Sequence, residues 1–159
     1  MKPITAIYAG TFDPFTAGHR DIAERALGIF GRLTVAVAED TGKTAAPLDD
    51  RTRIAELSLS GLDGIEVVPF GGLLTEFAAG TGKVVLVRGL RNALDFEYER
   101  ELCRVYRSLG DVECVFIEAD ARYEHVSSTT VRRLAALGAP LDGYAVDRAV
   151  AQIKKLYAK

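Results

Sequence analysis

Three polar clusters carry the residues able to do chemistry. The first is Thr11-Phe12-Asp13-Pro14-Phe15-Thr16-Ala17-Gly18-His19. Its histidine falls where a helix should begin, beside unpaired backbone N–H groups and the positive end of the helix dipole. Such a place attracts phosphate. Taken alone, this histidine reads as a surface or capping residue. The second cluster is Arg88-Gly89-Leu90-Arg91, two guanidinium groups that stay charged and can each grip two phosphate oxygens. Alone, it reads as a basic loop with Arg91 paired to Asp95 one helical turn along. The third is Val126-Ser127-Ser128-Thr129-Thr130-Val131-Arg132, suited to a helix N-cap. Its hydroxyl and N–H groups could also hold phosphates without adding charge.

The elements that must position these clusters are legible from periodicity. Ile4 to Tyr8 is a short β-branched and aromatic run, hence a strand. Ile22, Ala26, Ile29 and Phe30 then recur at helical spacing. Between them, Gly10 would let a ligand approach the backbone, and Asp13-Pro14 fixes a turn. Further strands are expected at 33–38, 65–68, 84–87 and 112–117. Helices are expected after Asp49 or Asp50 as cap, from Leu73 to Ala79, from Arg91 to about Leu109, up to Leu137, and from about Tyr144 to Tyr157. Strict alternation predicts a single α/β doubly wound domain over residues 1–159, with helices on both faces of a parallel sheet. Ligands of such sheets bind beyond the carboxyl ends of the strands. All three clusters follow strands.

Several other chemistries drop out. Gly80-Thr81-Gly82-Lys83 looks like part of a phosphate loop, but Phe77 stands where the first glycine belongs and Val84 where Ser or Thr belongs. It also precedes a strand, so it reads as a turn. His19 and His125 are the only histidines, which excludes a histidine-rich metal site. Cys103 and Cys114 lack metal or redox spacing and read as buried thiols. A net charge of −2 gives no reason to expect a nucleic-acid partner. No apolar run approaches spanning length and the start lacks a signal-peptide core, so a cytoplasmic protein without a membrane partner is expected.

The stretch Gly10-Thr11-Phe12-Asp13-Pro14-Phe15-Thr16-Ala17-Gly18-His19 resembles the signature of the nucleotidyltransferase superfamily, which joins a nucleotide to a phosphate-bearing acceptor. Arg88-Gly89-Leu90-Arg91, followed by Asp95-Phe96-Glu97-Tyr98-Glu99, closely matches the phosphopantetheine adenylyltransferase family. Val126 to Arg132 resembles that family's segment closing over ATP. The resemblance runs from Tyr8 to the helix after Arg132 and implies strand order 3-2-1-4-5. Ala9, Tyr106 and Arg133 depart from the family's usual residues, which touches acceptor contact and regulation.

What the resemblance implies is specific. His19, Thr11 and Arg91 would be catalytic, with His19 stabilising charge on the α-phosphate. ATP would be held by Thr11, Phe12, His19, Gly89, Leu90, Arg91, Glu99, Tyr123, Glu124, His125, Val126, Ser127, Ser128 and Thr129. The acceptor, 4′-phosphopantetheine, would meet Thr11, Lys43, Leu74 and Arg88, with Leu73 near its arm. Mg²⁺ would arrive with ATP and no dedicated protein metal cage is expected. The family also implies a homohexamer and feedback inhibition by coenzyme A. Three alternatives stay open at this point. One is a nucleotidyltransferase for nicotinamide mononucleotide or glycerol phosphate. Another is a tRNA synthetase, for which the chain has little room. The third is an ATP-sensing domain without catalysis.

Overall fold

The computed structural model describes residues 4–39, 46–80 and 82–158. Strands and helices alternate as β1 (Ile4–Gly10), α1 (Ala17–Phe30), β2 (Leu33–Ala38), α2 (Leu48–Leu59), β3 (Ile65–Phe70), α3 (Leu74–Ala78), β4 (Lys83–Leu90), α4 (Ala93–Leu109) and β5 (Val112–Glu118). A 3₁₀ turn (Ala121–Tyr123), α5 (Ser128–Ala136) and α6 (Asp147–Tyr157) follow. The five strands form one parallel sheet in the order β3-β2-β1-β4-β5. The chain thus winds outward from β1 to β3, then restarts on the other side at β4. The carboxyl ends of β1 and β4 flank the point of reversal, where an open α/β sheet leaves a crevice.

Burial on both faces explains the apolar strands. On β1, Ala6 and Tyr8 face one layer while Ile7 and Ala9 face the other. The first layer is thick: Ile22, Ala23 and Ala26 of α1, Ile54 and Ala55 of α2, Val131 of α5 and Ile153 of α6 pack there. The second is thinner, built on Leu74 and Ala78 of α3 with Cys103 and Cys114. Both cysteines are buried free thiols, as expected.

Several boundaries differ from the sequence reading. β4 continues through Leu90, with Arg88 opposite Phe116 and Gly89 opposite Ile117. The apolar pattern stops at Val87 because the next side chains meet the crevice, yet the backbone ladder carries on. Ile29 is 64% exposed despite its helical spacing, whereas Phe30 beside it packs against the core. Neither Asp49 nor Asp50 caps α2; Pro47 occupies that place, and both acids lie in the first turn, where they suit the dipole. Gly10 lines the cleft as its expected role requires, and the Phe12 ring takes the space a side chain there would fill, 3.1 Å from where a Cβ would stand.

Gly89 lies close against α1: an added Cβ would stand 3.0 Å from Ile22 Cγ1. Overpacking a buried contact of this kind costs about 1–3 kcal/mol. Gly89→Ala is therefore expected to lower the urea midpoint with an unchanged denaturant slope. An unaltered midpoint would mean that α1 yields freely.

Candidate active site

The crevice is a cleft of about 420 Å³, within the usual range for small-ligand sites. Its walls come from the ends of β1 and β4, the start of α1, and the approach to α5. The structure therefore brings the three polar clusters to one place. Thr11, Phe12, His19, Arg88, Gly89, Leu90, Arg91, Glu99, Tyr123, Val126, Ser127, Ser128 and Thr129 all line it.

His19 is built into the helix start. Thr16 is the N-cap of α1, and its Oγ1 accepts from the His19 backbone N–H at 3.2 Å. In return the Thr16 N–H donates to His19 Nδ1 at 3.0 Å. This is a capping box with histidine where glutamate or glutamine usually sits. Because Nδ1 accepts, the proton of the neutral ring belongs on Nε2. Around the ring stand Phe12, Phe15 and Tyr8, with centroids 5.1, 5.3 and 6.3 Å away. Burial in this aromatic box, with Arg91 nearby, pushes the imidazole down to about 4. Phe12 holds its place at φ 47, in the left-handed region that a bulky side chain rarely adopts.

The arginines are held by carboxylates. Arg88 donates through Nε to Glu99 Oε2 and through Nη1 to the Ala9 carbonyl at 3.1 Å. Arg91 makes the Asp95 ion pair that its spacing suggests, with Nε at 3.0 Å and Nη2 at 3.3 Å from the two oxygens. Its Nη1 also reaches the Val126 carbonyl at 3.4 Å, tying the mouth of β4 to the approach to α5. The ion pair and a phosphate-facing role are thus compatible, because the pair fixes the guanidinium at the cleft wall. Ser127 caps α5 by accepting from the Thr130 N–H at 3.1 Å. Ser128 donates to the Pro14 carbonyl at 2.8 Å, which brings the N-terminus of α5 against the first turn.

Supporting residues escaped the sequence reading. Asp13 accepts from the Ala46 N–H and the Tyr157 hydroxyl, and its other oxygen lies 3.6 Å from Arg132. Arg132 also donates to the Asp13 carbonyl oxygen. Arg51, only 1% exposed, donates to the carbonyls of Thr11, Ala38, Glu39 and Ala46. Among the described residues no carboxylate pairs with it. A buried arginine satisfied by carbonyls has no local sequence signal. Asp13 and Arg132 lay inside recognised segments, but their partners are distant in sequence.

Other expected positions stand elsewhere. Lys43 lies outside the described residues. Leu74 is buried in the second core layer and not at the cleft, while Leu73 is 51% exposed. Glu124 and His125 are exposed and do not line the cleft; the His125 ring packs edge-on against Tyr144 at 5.2 Å. The 3₁₀ turn before them sets this, because it aims Tyr123 and then Val126 inward and leaves the two between outside.

The His19 environment has a measurable consequence. The folded ring stays neutral until pH nears 4, whereas an unfolded histidine takes its proton near about 6.5. Its contribution to stability is complete above that unfolded value and drains away as pH falls toward the folded one. Heteronuclear NMR of the histidines should give a midpoint near 4 for His19, with Nε2 protonated in the neutral form. A midpoint near 6.5, or the opposite tautomer, would refute the capping-box assignment.

A cytidylyltransferase-like family model matches residues 7–134, which contain every cleft-lining residue. Three curated proteins named phosphopantetheine adenylyltransferase illustrate the closer likeness. The one from Oleidesulfovibrio alaskensis is 39% identical over 96% of this chain and 91% of its own. The one from Nitrosomonas eutropha is 45% identical over 83% and 82%. That from Deinococcus radiodurans is 35% identical over 98% and 95%. With a likeness spanning almost the whole chain, this chain belongs to the cytidylyltransferase-like family and, within it, to the phosphopantetheine adenylyltransferases.

Proposed function

We propose that this chain transfers the adenylyl group of ATP to 4′-phosphopantetheine, giving dephospho-coenzyme A and pyrophosphate by direct in-line displacement. The carrying observation is the neutral His19, aimed with a proton on Nε2 into a cleft that also holds Arg88, Arg91 and the N-terminus of α5. An acceptor phosphate oxygen attacks the α-phosphorus and forms the new P–O bond. The bond from that phosphorus to the α–β bridging oxygen breaks, and pyrophosphate leaves with the electron pair. The acceptor is already anionic at neutral pH, so no general base is needed. The difficulty is mutual repulsion of two polyanions and charge growing on the α-phosphate, which positioning and fixed donors relieve.

His19 Nε2–H donates to the α-phosphate oxygens as their charge grows. Thr11 bridges the acceptor phosphate and the nucleotide. Lys43 and Arg88 hold the acceptor, and Arg91 and the α5 start hold the triphosphate. Each carboxylate lining the cleft already engages an arginine: Asp13 with Arg132, Asp95 with Arg91, Glu99 with Arg88. Among the described residues no group of three or more acids, histidines and cysteines could hold a metal. Mg²⁺ arriving with ATP, held by its phosphates and water, would neutralise phosphate charge. Coenzyme A contains the product's groups and so fits as a competing inhibitor. No described helix is long and apolar enough to cross a membrane.

Self-association as a homohexamer is supported by α4. Leu94, Tyr98, Val105 and Leu109 are each more than half exposed and recur at helical spacing along one stripe, opposite the buried Cys103. Light scattering should give the mass of six chains, and Leu94→Lys with Val105→Lys should reduce it. A wild-type monomer would remove the hexamer from this reading.

The decisive assay is pyrophosphate release with each candidate acceptor. 4′-Phosphopantetheine should support turnover, while nicotinamide mononucleotide and glycerol phosphate should not. His19→Ala should then lower kcat about 10²–10³-fold with ATP affinity nearly unchanged. Parallel loss of ATP binding would reduce His19 to an anchor. Initial rates should require both substrates together, since ping-pong patterns would indicate a covalent intermediate.

A further inference from the structure

Tyr8 lends its ring to the aromatic box around His19, but nothing above gives its hydroxyl a task. It sits near the carboxyl end of β1, opposite Val87 of β4, and is only 6% exposed. Its ring packs edge-on against Phe12 at 5.2 Å and lies 6.3 Å from the His19 ring. Its hydroxyl is another matter. A Cβ placed on Gly89 would stand 3.5 Å from the Tyr8 oxygen, so the hydroxyl sits at the mouth of β4. Tyr8, Gly89 and Arg91 line the same cleft.

Among the described residues, nothing forms a hydrogen bond with this hydroxyl. A phenylalanine would serve the aromatic box equally well, so the hydroxyl, which is not a buried orphan but opens on the cleft, is left for something that enters it. The charged groups around it are Arg88, Glu99, Arg91 and Asp21. Each of these is engaged elsewhere: Arg88 with Glu99, Arg91 with Asp95, and Asp21 with Arg25 and the Asp120 N–H. Burial also drives the phenol well above its ordinary range, so the group remains a donor throughout working pH. A lone donor beside two guanidinium groups calls for an oxygen acceptor brought by a ligand.

We propose that the Tyr8 hydroxyl is a nucleotide-binding group, donating a hydrogen bond to a phosphate oxygen of the bound nucleoside triphosphate where Gly89 and Arg91 form the cleft wall. The assignment rests on the adenylyl-transfer reading, which places ATP in this cleft. It adds a donor next to His19 that reaches the nucleotide from the floor of the sheet instead of from a helix start.

The test is Tyr8→Phe, which removes one oxygen and keeps the ring. Calorimetric titration should show ATP bound about tenfold more weakly, the scale for one hydrogen bond to a charged acceptor. Adenosine affinity should be unchanged, and so should the thermal midpoint without ligand. Unchanged ATP affinity would overturn the proposal. So would an equal loss for ATP and adenosine, which would place the contact away from phosphate, or a lowered midpoint, which would reveal a partner within the protein. Failure of the wild type to bind ATP would instead strike the adenylyl-transfer reading itself.

Discussion

The reciprocal pair of hydrogen bonds between Thr16 and His19 is the constraint on which the site turns. The same two bonds begin α1 and decide which ring nitrogen carries the proton. Fixing the tautomer through helix initiation removes a degree of freedom that an isolated surface histidine would keep. It also costs the protein little, because both backbone N–H groups would need partners at a helix start anyway. The aromatic box then keeps the ring neutral, so a donor faces the cleft without a buried positive charge to compensate.

Charge in the cleft is arranged around that neutral donor. Arg88, Arg91 and Arg132 each lean on a carboxylate, so their positions are set before any ligand enters. Preorganised cations of this kind stabilise developing charge without reorganising during reaction. Arg51 differs, since four carbonyls satisfy its guanidinium. Those carbonyls belong to the end of β2, the segment leading into α2 and the first turn. One side chain thereby braces three parts of the chain that meet beneath the cleft.

Much of this was legible in the sequence, for definite reasons. Strand alternation and the apolar runs are local, and the sheet order followed from family resemblance. The clusters at His19, Arg88–Arg91 and Ser127–Thr129 converge because each follows a strand ending at one edge. What remained hidden depends on distance along the chain or on backbone pairing. The extension of β4 through Arg88 lies in a ladder that side-chain polarity conceals. The outward placement of Glu124 and His125 results from a short 3₁₀ turn that no periodicity announces. The family resemblance points Leu74 to the acceptor site, but as an apolar residue on a short helix it is also suited to the core, where it lies.

Asp13 gives the fold a closing order. Its partners Ala46, Arg132 and Tyr157 lie 33, 119 and 144 residues along the chain. Contacts of such range close long loops, and the rest of the fold must offset the entropy that this removes. The turn that presents Thr11 is therefore held by the last helix together with Arg51 and α5. Nucleotide affinity then becomes a gauge of global folding: a chain frayed at α6 loses its grip on the first loop, and a bound nucleotide draws the far end of the molecule into place.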